Sequence, residues 1–87
     1  MELYVNGSFA KSTAGHDKEE IYVIIREEKE YVYLCNGSTR KIDNPKRKNK
    51  KHVQPVKGRY IDYLGQTDNA EFSDEAVRKA IRHYIGG

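Results

Sequence analysis

Apolar and polar residues alternate with a short period along most of the chain and adopt a longer period only near its C-terminal end. IYVIIRE (Ile21 to Glu27) and YVYLC (Tyr31 to Cys35) are dominated by β-branched and aromatic residues, with the charged EEKE (Glu27 to Glu30) at their junction. That composition predicts consecutive antiparallel strands joined by a solvated turn. SFAKS (Ser8 to Ser12) is a shorter strand signal. The polar TAGHDKE after it contains Gly15, which takes a positive φ at little cost and marks a loop. Asn36-Gly37 is a strong hairpin signal, so STRKI (Ser38 to Ile42) is expected to pair back across it. Asn44-Pro45 should end regular pairing, since the proline ring restricts the residue before it and proline donates no ladder bond. Segment 43–52 therefore reads as a loop. HVQPV and RYIDYL resume alternation, with Tyr60, Asp62 and Leu64 set against Ile61 and Tyr63. Several short strands with tight turns predict a small barrel or sandwich.

The period changes in FSDEAVRKAIRHYIGG. Ala76, Val77, Ala80, Ile81, Tyr84 and Ile85 fall at helical spacing, while Arg78, Lys79, Arg82 and His83 occupy the other side. Ser73 is a natural N-cap, Asp74 and Glu75 suit the positive end of the helix dipole, and Phe72 is placed to staple onto Val77. Gly86 and Gly87 supply the stop. With one apolar face, the helix should dock on the outside of the sheet, against Tyr22, Ile24, Tyr31 and Tyr33, if Ile21, Val23, Ile25, Val32 and Leu34 point inward.

Composition bounds the size and the partners. A chain of 87 residues holds one domain with a modest core, here a barrel over 1–64 followed by a linker and helix over 65–87 of the same domain. No apolar run approaches the ~18 residues of a membrane span, and the N-terminus lacks the basic-then-apolar order of a secretory signal. The expectation is a soluble, cytoplasmic protein, with which the single cysteine, Cys35, agrees. The net charge of +3 hides a strong polarisation. Lys46, Arg47, Lys48, Lys50 and Lys51 put five cations into six positions, and residues 40–59 hold nine Lys or Arg against the single Asp43, a local +8. The rest of the chain has 7 basic and 12 acidic groups, or −5. A concentrated positive surface on an acidic body has the distribution needed to meet a polyanion. Taken alone, the run reads equally as a solvated segment, and KRKNKK also has the composition of a nuclear address.

From Gly7 to Val56 the order of features resembles the KOW-type RNA-binding proteins of Gram-positive bacteria, small relatives of eukaryotic-type large-subunit ribosomal proteins. The features are a strand ending at Ser12, the loop AGHDK, two β-rich strands, the NG turn, RKI, and NPKRKNKKH where family members carry a similar Pro-Lys run ending in Lys-His. The resemblance implies a mainly β, five-stranded SH3-like barrel, here with the C-terminal helix packed on it. It also implies RNA binding on or near the ribosome, with ribosomal RNA and ribosomal proteins as partners and no membrane. Glu19 stands where the family has glycine, which favours the basic segment over the Gly15 loop as the contact surface.

The expected RNA-binding residues are Arg40, Lys41, Lys46, Arg47, Lys48, Lys50, Lys51, His52, Lys57 and Arg59, with Gly15, His16 and Lys18 as a second candidate loop. About six to eight phosphate contacts would lower affinity for duplex by roughly 10³ to 10⁵ between about 50 and 200 mM salt. The arginines can make bidentate contacts, and the lysines act as point charges. The tyrosines divide between core and stacking roles, with Tyr60 and Tyr63 nearest the basic segment and Tyr4 open. His16, His52 and His83 have no nucleophile or ligand set at recognisable spacing, so neither enzymatic activity nor a metal or other cofactor is expected. Cys35 reads as a buried hydrophobe. The alternative function is a peptide-interaction module of the same barrel type, using aromatic grooves and binding no nucleic acid.

Overall fold

A computed structural model describes residues 4, 6–15, 20–59 and 73–86. Strands β1 (Ser8–Ser12), β2 (Ile21–Glu27), β3 (Tyr31–Cys35), β4 (Lys46–Asn49) and β5 (Val53–Arg59) precede helix α1 (Asp74–Gly86). A single 3-10 turn, Lys50–His52, joins β4 to β5. The strands form one antiparallel sheet in the order β4-β3-β2-β1-β5, so the fifth strand returns to pair with the first and the sheet curls into a half-barrel. This is the SH3-like architecture expected from the sequence.

Two of the predicted local features differ. Ser38 to Ile42 forms no strand. Asn36 folds the chain onto itself instead: its side-chain Oδ1 accepts from the amides of Ser38 at 3.0 Å and Arg40 at 2.9 Å, while the Asn36 and Gly37 amides donate to the Arg40 carbonyl. Asn side chains compete with strand ladders in this way. The basic run, predicted as a loop over 43–52, is a strand and a turn. β4 lies against β3 with Leu34 opposite Lys46, Tyr33 opposite Arg47, Val32 opposite Lys48 and Tyr31 opposite Asn49. The hydrogen-bonding edge that β3 leaves open decides this segment, and pairing context overrides weak intrinsic propensity.

The core has two parts, one on each face of the sheet. Ala10, Tyr22, Ile24, Val32, Leu34 and Val53 fill the concave side, with Tyr4 packed at its margin. Phe9, Val23 and Cys35 on the other face meet Val77, Ala80 and Ile81 of α1. The phase of β2 is thus opposite to the expected one: Val23, Ile21 and Ile25 lie toward the helix, and Tyr22 and Ile24 point inward. A strand apolar on both faces carries no mark of which face is interior. The register also slips at Ile25, since Ile24 faces Leu34 while Arg26 faces Tyr33. This bulge turns Arg26 away from the interior and onto the outer face.

The helix begins as predicted. Ser73 Oγ accepts from the Ala76 amide at 3.1 Å, and Asp74 Oδ1 accepts from the Ile42 amide at 2.8 Å, which ties the 36–45 connection to the helix start. Gly58 has φ +113, and a Cβ there would sit 3.2 Å from the Phe9 ring. Its absence leaves room for Phe9 and Tyr84 to pack with ring centroids 4.6 Å apart. The Phe72 staple and the 60–64 alternation lie outside the described residues.

Candidate nucleic-acid interface

Because a strand sends successive side chains to opposite faces, β4 divides the basic run. Lys46 and Lys48 stand on the concave side with Leu34 and Val32, both half-buried. The Lys48 ammonium donates to the Ala14 carbonyl at 2.9 Å. Arg47 projects from the outer face, exposed, with its guanidinium carbon 4.7 Å from the centre of the Tyr31 ring. Lys50, in the 3-10 turn, is drawn to Glu27 at 2.6 Å and lies over the Tyr4 ring at 5.2 Å. Lys51 and His52 are exposed.

The turn is held at both ends. Asn49 Oδ1 accepts from the Lys51 amide at 3.0 Å, and the Tyr4 hydroxyl donates to the Lys50 carbonyl at 3.1 Å. Tyr4, left open by sequence reasoning, is therefore a structural clamp on the basic turn. The Thr13 amide donates to the His52 carbonyl at 2.9 Å, and with the Lys48 to Ala14 bond this seats the Gly15 turn beside the basic segment. Gly15 itself is exposed with φ +89. The described part of the second candidate loop, up to Gly15, therefore lies beside the basic segment.

Arg40 is half-buried and Lys41 exposed in the 36–45 connection. Lys57 and Arg59 lie on β5, where Arg59 is opposite Ser8; their side chains, and all of His16, Lys18, Tyr60 and Tyr63, fall outside the described residues. Sequence reasoning counted all five cations of the run as contacts. The fold separates them into Arg47 and Lys51, which face solvent and pair with no described acid, and Lys46, Lys48 and Lys50, which have partners of their own.

One feature was not anticipated. On the outer face Arg26 lies over Tyr33 at 5.3 Å, a position set by the bulge and not by alternation. The exposed side of α1 carries Arg78, Lys79, Arg82 and His83, with Glu75, around a shallow polar depression of about 360 Å³, and Arg78 donates to the Gly37 carbonyl. Helical periodicity had placed these four residues on the polar side of the helix, and the structure has them there.

Among the described residues no group of three or more His, Cys, Asp or Glu could hold a metal ion, and no helix is long and apolar enough to cross a membrane. Burial, aided by the charge of Asp74, pushes the Cys35 thiol up from 9.0 to about 12, so its nucleophilic thiolate is scarce at neutral pH. Neither the protein-family models nor the curated proteins compared with this chain gave a match.

Proposed function

We propose that this protein binds RNA, with the outer side of β4 and the 3-10 turn as its contact surface, in the manner of the KOW-type proteins whose sequence order it resembles. The observation that carries the reading is that the basic run is built into the barrel, clamped by Tyr4, Asn49 and the Thr13 amide, and not trailing from it. Cations fixed in place lose less conformational entropy on meeting a phosphate chain than cations on a free tail. Arg47, Lys51 and His52 present their charge or hydrogen-bond donors outward, and Lys41 extends the surface. The acidic remainder of the chain, at −5, orients the molecule with this side toward a polyanion.

The protein on this reading is a cytoplasmic, ribosome-associated binding protein and not an enzyme, and it needs no cofactor. Co-sedimentation with ribosomal subunits over a salt series tests it. Wild type should sediment at low salt and be released as salt rises, and the double variant Arg47→Ser, Lys51→Ser should lose most of the binding. Failure of wild type to sediment at low salt would refute the proposal.

A further inference from the structure

The outer face of β2, β3 and β4 carries a mixed array of arginine and tyrosine of which the phosphate-binding reading uses only Arg47. Arg26, Tyr33 and Arg47 are direct neighbours across three strands, and Tyr31 follows Tyr33 on the same face of β3. Each arginine lies over a tyrosine: Arg26 over Tyr33 at 5.3 Å and Arg47 over Tyr31 at 4.7 Å. Arg47 leans along the strand from its direct neighbour Tyr33 to Tyr31.

Glu28 fixes one end of the array. Its carboxylate accepts from the Tyr33 hydroxyl at 3.1 Å and from Arg26 Nη2 at 3.1 Å, offsetting the Arg26 charge. The other end is open. Arg47 is exposed and makes no ion pair with a described residue, so one side of its guanidinium is covered by an aromatic ring and its donors are uncommitted. Resting on Tyr31 restricts the rotamers of Arg47 before any ligand arrives, which lowers the entropy cost of using it. Helix α1 covers a different part of this face, over Phe9, Val23 and Cys35, so the array stands clear of the helix-capped core.

A planar cation on an aromatic ring, beside further outward cations, suits a ligand that is itself planar and carries negative charge at a fixed distance. Unpaired nucleotides have that form, since their bases stack on guanidinium and aromatic planes while their phosphates meet nearby lysines. Resting on the RNA-binding reading, we infer that the Tyr31–Arg47 pair is a stacking site for an unpaired nucleobase, with Lys51 meeting the adjoining phosphate. The surface then distinguishes single-stranded or bulged RNA from continuous duplex, whose bases are stacked on one another and whose phosphates alone are offered.

The test uses anisotropy titrations at one low salt concentration with three labelled probes of equal charge: an unstructured RNA oligonucleotide, a duplex, and a strand of abasic ribose-phosphate units. Wild type should bind the intact single strand tighter than the abasic strand by about 5- to 150-fold, the range of one stacked base. Arg47→Lys keeps the charge and removes the plane. It should lose a similar factor on the single strand and roughly twofold or less on duplex, where the charge count is unchanged. Tyr31→Leu should follow Arg47→Lys, its fold being checked by circular dichroism. Equal affinity of wild type for intact and abasic strands, or equal loss by Arg47→Lys on single strand and duplex, overturns the stacking site while RNA binding stands. No binding to any probe removes both.

Discussion

At the scale of single residues, three glycines with different surroundings separate backbone strain from crowding. Gly37 is buried with φ +79, and a Cβ there would fall 2.3 Å from the Asp74 carbonyl oxygen and 2.7 Å from the Arg78 side chain. Gly37→Ala therefore meets both the left-handed penalty and a clash with helix backbone that cannot move without disturbing the α1 start, and it should cost about 3 kcal/mol or more. Gly7, with φ +89 and open space around it, should cost only about 1–2 kcal/mol on the same change. Gly86, helical and uncrowded, should be neutral or gain up to about 1 kcal/mol. Urea denaturation of the three variants checks the order, and equal losses at Gly37 and Gly7 would contradict the close approach to α1. Cys35 gives a second prediction. Its folded pKa is raised above its unfolded value, so the unfolded chain releases the thiol proton first as pH rises. Stability owed to this group is intact below about 9 and declines between 9 and 12, the direction of linkage when the native state binds more protons. Cys35→Ala should flatten that part of the alkaline stability profile, and the native thiol should react slowly with a thiol reagent at pH 8 until the protein is unfolded.

At the scale of elements, β4 is an outer strand of the sheet and carries its charges where they have two effects. Lys46 and Lys48 face the concave side at a sheet margin, a placement that deters another strand from adding there. Replacing both with valine should raise strand propensity and remove that deterrent, so the variant should self-associate in sedimentation velocity at concentrations where the wild type associates less. A variant whose sedimentation matches wild type across the series would show that the edge is protected by something else. The same strand marks the boundary of what the sequence revealed. Strands β1 to β3, the helix and its Ser73 cap were legible, because local propensity, turn chemistry and period agreed with one another. β4 was not, since the nearer segment Ser38 to Ile42 was expected to take the edge of β3 and the composition of β4 resembles a solvated loop. The Asn36-Gly37 signal pointed to a two-residue hairpin, but the Asn36 side chain closes a wider turn. The site suffered in proportion. The basic residues were legible as a cluster, but their division between two faces appears only once the segment is a strand. The Arg26–Tyr33 contact requires the Ile25 bulge, which nothing in simple alternation announces.

For the molecule as a whole, the division of charge changes the expected salt dependence. Counting the run as equivalent cations gives about six to eight phosphate contacts and a steep loss of affinity with salt. In the fold, Lys48 is committed to Ala14, Lys50 to Glu27, and Lys46 lies on the concave face. Within 40–52 the exposed Lys and Arg side chains are Lys41, Arg47 and Lys51, and the sequence offers Lys57 and Arg59 as further candidates. Each neutralised phosphate of a single strand contributes a slope of about −0.7 in a plot of log affinity against log salt, so three to five contacts predict a slope of about −2 to −4. Individual variants sharpen the argument. Arg47→Ala and Lys51→Ala should each flatten the slope by roughly 0.7, whereas Lys46→Ala and Lys48→Ala should leave it nearly unchanged. Affinities of the five proteins for one unstructured RNA across a salt series measure this directly. A wild-type slope steeper than about −5, or an equal flattening by Lys48→Ala and Arg47→Ala, would mean that the concave-side lysines swing out to the ligand and that the strand's alternation does not partition the charge.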